Sequence, residues 1–82
     1  MTRYPDPDLT VDARGLRCPL PVLRARKRLQ DLAAGAVLCL RADDPMALID
    51  LPHFCAGAGH DYLGHEEGPD GLRLYLRKTR AD

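Results

Sequence analysis

Leu9-Thr10-Val11-Asp12-Ala13-Arg14-Gly15-Leu16-Arg17-Cys18-Pro19-Leu20-Pro21 is the stretch that decides how this chain folds. Leu9, Val11 and Ala13 alternate with Thr10 and Asp12, the period of two that marks a half-buried strand. Arg14 to Arg17 make a turn. From Pro19 onward, Val22, Ala25, Leu29 and Leu32 recur at helical spacing until Gly35, a natural stop. The stretch therefore carries a strand through a turn into a helix.

Downstream, Ala36-Val37-Leu38-Cys39-Leu40 is a short apolar run directly after the helix stop and reads as a buried second strand. Asp44-Pro45 suits a helix start, with a carboxylate free to cap N–H groups and a proline where its missing donor is not needed. The second helix runs on through Met46, Leu48 and Ile49. Pro52 is expected to interrupt it, with a kink and a restart toward Phe54 and Cys55, and Gly57 and Gly59 end it. Tyr62 to Glu66 reads as a third strand. A turn at Gly68-Pro69-Asp70-Gly71 leads to a fourth, in which Leu72, Leu74 and Leu76 alternate with Arg73, Tyr75 and Arg77. The order β-α-β-α-β-β, with parallel crossovers and a closing hairpin, predicts a two-layer α/β sandwich. No repeat or linker divides the chain, so residues 1–82 are expected to form a single domain with its core at about 9–78.

A domain of 82 residues buries only about 60% of the surface its unfolded chain exposes, which leaves a core but no deep substrate cavity. Hydrophobic residues at 45% and charged residues at 29% mark a folded chain rather than a disordered one. No apolar run reaches the roughly 18 residues a membrane span needs, and Met1 to Pro7 lack the apolar centre of a signal peptide. A cytoplasmic location without membrane contact is the expectation. There, three cysteines remain thiols rather than disulfides. Twelve basic and twelve acidic residues cancel, but unevenly. Arg14, Arg17, Arg24, Arg26, Lys27 and Arg28 are followed by an acidic tract from Asp43 to Asp70 that has no Lys or Arg, so one face should be positive and another negative.

Cys18 stands at or beside the start of the first helix, where unpaired N–H groups and the helix dipole favour negative charge. Pro19 and Pro21 stiffen that start without breaking it, since both fall where an N–H has no intrahelical partner. Arg14 and Arg17, close in sequence, add positive potential, and the expectation is a thiol that ionises readily. As a thiolate, Cys18 can attack the sulfane sulfur of a donor, hold it as a persulfide and pass it on. No metal or organic cofactor is needed. The bland alternative is that Cys18 fills a gap at a helix start. Cys39, inside an apolar strand, and Cys55, after Phe54, read as core.

Other chemistries fit less well. Cys18 has no second cysteine two residues away, which disfavours a dithiol oxidoreductase. His53, Cys55, His60 and His65 match no standard zinc spacing. With 5% aromatics, no Trp and zero net charge, direct nucleic-acid binding is not expected. A positive rim around a thiol serves instead to steer a protein partner.

The chain resembles the TusA/SirA family of sulfur-carrier proteins from Leu9 to Lys78. The resemblance rests on Asp12-Ala13-Arg14-Gly15-Leu16-Arg17-Cys18-Pro19-Leu20-Pro21, on Ala42-Asp43-Asp44-Pro45 and on Asp50-Leu51-Pro52-His53-Phe54-Cys55. It implies a mixed four-stranded sheet with two helices packed on one face. It also implies a motif cysteine, Cys18, loaded by a cysteine desulfurase or rhodanese-like donor, with Pro19, Pro21, Arg14 and Arg17 as supporting motif residues. Family members relay sulfur to an acceptor protein in thiolation of transfer RNA, in molybdenum cofactor biosynthesis or in sulfur oxidation. A carrier of this kind is expected to be a monomer. The alternatives are a non-catalytic regulatory or protein-binding module of the same fold and a thiol sensor of oxidants.

Overall fold

The computed structural model of the chain describes residues 3–79. Its elements follow the predicted order: β1 (Leu9–Asp12), α1 (Leu20–Leu29), β2 (Val37–Ala42), α2 (Ala47–Ala58), β3 (Asp61–Gly68) and β4 (Gly71–Arg77). The sheet order is β1-β2-β4-β3. β1 runs parallel to β2, whereas β4 runs antiparallel to both β2 and β3. The closing hairpin thus inserts its last strand between β2 and β3, and the sheet is mixed, as expected.

The period of two decides the two faces. Val11, Leu38, Leu40, Ala42, Leu72, Leu74 and Leu76 point to one side and meet Ala25 and Leu29 of α1 with Ala47, Leu51 and Cys55 of α2. Both helices therefore lie on one face. Burial of each leucine there contributes about 1.5–3 kcal/mol. On the opposite face Val37, Cys39 and Tyr75 form a second cluster, against which Tyr4 and Leu63 pack. The Tyr4 ring stacks on Tyr75 at 4.6 Å and its hydroxyl donates to the His65 carbonyl at 3.1 Å. Gly64 makes room: a Cβ there would sit 2.4 Å from the Tyr4 oxygen. β2 is buried on both faces, which is why its sequence reads as an unbroken apolar run.

Boundaries shift by a residue or two at β2, which is Val37–Ala42, and at the start of α2, which is Ala47 rather than Pro45, and three larger differences from the sequence reading stand out. Helix α1 ends at Leu29, two turns before Gly35. The carbonyl of its last residue and that of Leu32 just beyond are taken by the buried Lys78, whose Nζ donates to Leu29 at 2.8 Å and to Leu32 at 2.7 Å. Three basic residues in the last turn, Arg26, Lys27 and Arg28, also suit the negative end of the helix dipole. Helix α2 does not break and restart at Pro52, which lies inside one helix from Ala47 to Ala58. Tertiary packing of Ala47, Leu51 and Cys55 on the sheet spans the proline and outweighs its lost hydrogen bond. β3 is longer than Tyr62 to Glu66 and carries a bulge between Tyr62 and Gly64.

Candidate functional site

The connection from β1 to α1 is short, and its groups are tied down by three aspartates. Gly15, at φ +84°, lets the backbone turn where a side chain would be strained. Its N–H lies 3.1 Å from both carboxylate oxygens of Asp43. Arg14 folds back on Asp12, with its backbone N–H at 3.1 Å and its guanidinium in a two-point contact at 2.9 and 3.0 Å. The Arg17 guanidinium reaches Asp43 at 3.4 Å. Asp44, buried at 8% exposure, accepts from the Cys18 N–H at 2.8 Å and from the Met46 N–H at 3.1 Å. One carboxylate thereby joins the loop before α1 to the turn before α2.

Pro19 is the N-cap of α1 and Pro21 lies in its first turn, so Cys18 directly precedes the helix, as the sequence places it. The Cys18–Pro19 peptide bond is cis. Pro21 is buried against the core, while Cys18 is exposed. Of the three cysteines, Cys39 and Cys55 are buried. Burial pushes both of their thiols up, that of Cys55 to about 11 with a further contribution from Asp61.

The charge around the sulfur is the reverse of the expectation. The Cys18 thiol donates to Asp50 Oδ2 at 2.7 Å. That hydrogen bond, then desolvation, then the charges of Asp50 and Asp44, hold the thiol above its ordinary range. The expected lowering is therefore corrected. Arg14 and Arg17 are paired with Asp12 and Asp43, and two carboxylates stand where the arginines were expected to act. Asp44 in turn is held below the usual carboxylate range, first by the Cys18 amide, then by the Met46 amide, against desolvation.

Asp44 was legible only as a helix start, and Asp50 only as one acid on the second helix. Each reaches Cys18 across a separation of 26 or 32 residues. Their signal was their presence in the segments that carry the family resemblance. The large apolar side chains left exposed among the described residues are Leu20, Leu23, Met46 and Ile49. Leu20 and Leu23 begin α1 beside Cys18, and Met46 and Ile49 begin α2 beside Asp50. Among the described residues no group of three or more His, Cys, Asp or Glu side chains could hold a metal ion. No helix of the described residues is long and apolar enough to cross a membrane.

Comparison with known proteins gives the family. Residues 9–78 match the family model described as sulfurtransferase TusA. The chain is 45% identical over 75 residues to the sulfur carrier protein TusA of Pseudomonas entomophila, covering 92% of each. The crystal structure of a SirA-like protein from Desulfitobacterium hafniense superposes with a TM-score of 0.76 at 30% identity, over 88% of this chain and 99% of that one. An exposed cysteine ahead of a proline-stiffened helix, on this sheet and with these relatives, makes the chain a member of the TusA/SirA family of sulfur carriers.

Proposed function

We propose that this chain carries sulfur as a persulfide on Cys18, taken from a cysteine desulfurase or a rhodanese-like protein and relayed to an acceptor protein. The observation that carries the reading is that Cys18 is exposed whereas Cys39 and Cys55 are buried. A sulfur that must be loaded by one protein and unloaded by another has to be reachable from outside. Cys18 has that access, on a backbone held by Asp44 and by the first turn of α1.

The partners are proteins rather than nucleic acid or membrane. Leu20, Leu23, Met46 and Ile49 give the thiol an apolar surround of the kind that docks another protein surface. Arg14 and Arg17 support the motif by shaping the loop through Asp12 and Asp43, and Pro19 and Pro21 support it by stiffening the helix start. The protein works as a monomeric carrier in the cytoplasm, without metal or organic cofactor. Thiolation of transfer RNA, molybdenum cofactor synthesis and sulfur oxidation are the routes it would feed.

The test is sulfur loading. The protein is incubated with a cysteine desulfurase and cysteine, and its intact mass is measured. The expected product carries one added sulfur atom, removable by dithiothreitol, and Cys18→Ser abolishes it. A Cys18→Ser protein that still gains the sulfur rules the reading out.

A further inference from the structure

We infer that Asp50 is the catalytic proton acceptor for the Cys18 thiol when its sulfur attacks a donor. The inference rests on the reading of Cys18 as the sulfur-bearing atom and adds the group that makes it nucleophilic.

Geometry comes first. Asp50 Oδ2 lies 2.7 Å from Sγ, within the reach a general base needs. Asp50 sits in the first turn of α2, and the turn before that helix is tied to the Cys18 backbone by Asp44. Sulfur and carboxylate are thus held by two elements joined at a common point. The charges that act on the sulfur are those of Asp50 and Asp44. Asp44 comes from the β2–α2 turn, Asp43 beside it is engaged with Gly15 and Arg17, and Arg14 is engaged with Asp12. His53, one turn along α2 from Asp50, is exposed.

With Asp50 and Asp44 holding the thiol protonated through neutral pH, the resting sulfur is a weak nucleophile. Something must take its proton during attack, and Asp50 is already hydrogen-bonded to it. In the loading step Sγ attacks the outer sulfur of a donor persulfide, R–S–SH. A new S–S bond forms as the R–S bond breaks, and the electron pair leaves on the donor thiolate. Asp50 accepts the Cys18 proton and returns it to that thiolate. The balance is Cys18–SH + R–S–SH → Cys18–S–SH + R–SH, with no net oxidation or reduction. Unloading runs the same transfers in reverse: Cys18 leaves as thiolate and is reprotonated from Asp50.

The experiment separates this from sulfur carriage itself. Bis(2-hydroxyethyl) disulfide, a neutral probe without titratable groups, undergoes the same attack of thiol on S–S, and adduct formation on Cys18 is followed by mass. A base-assisted thiol reacts from a population that is constant from about pH 6 to 8, so the wild-type rate should be nearly flat there. D50N has no proton acceptor and reacts only through its thiolate, so its rate should drop about tenfold for each pH unit lowered below its thiol pKa. At pH 6 the variant should be slower than wild type by about 10- to 100-fold. A wild-type rate that itself falls about tenfold per pH unit from 8 to 6 overturns the inference, whatever any variant does. So does a D50N profile parallel to that of wild type. Failure of the desulfurase to load Cys18 leaves this result untouched, so the two readings fall separately.

Discussion

Cys18 differs from the other two cysteines in exposure and in the company it keeps. Cys39 sits under Tyr4 and Tyr75 on one side of the sheet, and Cys55 faces the helix-side core on the other. Iodoacetamide on the native protein at pH 8 should therefore add one label, at Cys18, and three after denaturation in guanidinium. Native labelling of Cys39 or Cys55 by peptide mass would show that the packing around them opens more readily than their burial implies. The site was half legible in the sequence. A cysteine followed by proline at a helix start is a local pattern, so its position could be read from residues 12 to 21, whereas its exposure depends on how the helices pack. The sign of its pKa shift could not, because Coulomb energy follows distance in space and the nearest charge, Asp50, is 32 residues away along the chain.

At the scale of elements, the starts of α1 and α2 are coupled through Asp44, which accepts an amide proton from each. Its carboxyl is held below the ordinary range, so it contributes stability that is present above the unfolded-state value, near about 3.9. That contribution is lost as pH falls through the lower folded-state value. Asp44→Asn is expected to melt about 4–8 °C below wild type at pH 7, with the gap closing as pH falls below about 4. Thermal melts of both proteins at a series of pH values check this, and a gap that stays constant down to pH 2.5 contradicts it. Asp44-Pro45 was legible as a helix start because capping is a local relation. The share of Asp44 that goes to Cys18 was not, because it depends on α1 and α2 lying side by side on one face. Pro52 shows the opposite error: a local breaking rule applied where packing of Leu51 and Cys55 prevails.

Across the whole molecule, Lys78 closes the structure from the far end. Its backbone pairs with Gly35 and Ala36, and its buried ammonium takes the carbonyl of Leu29, the last residue of α1, and that of Leu32 just beyond it. Lys78→Met keeps the length and apolar stem but takes the donor away from the Leu32 carbonyl, and leaves the Leu29 carbonyl with only the Leu32 N–H. A loss of about 1–3 kcal/mol in urea unfolding is expected, and an unchanged midpoint would show that water satisfies the carbonyls instead.

The element order, the facing of β1 and β4 and the position of Cys18 at a helix start were determined by the sequence alone. Periods of 2 and 3.6 and the turn residues between them are properties of neighbouring residues. The carboxylates that surround the sulfur, the early end of α1 under Lys78 and the continuity of α2 through Pro52 were decided by tertiary structure. Each depends on groups that the sheet brings together from distant parts of the chain, where energies are set by separation in space and by burial.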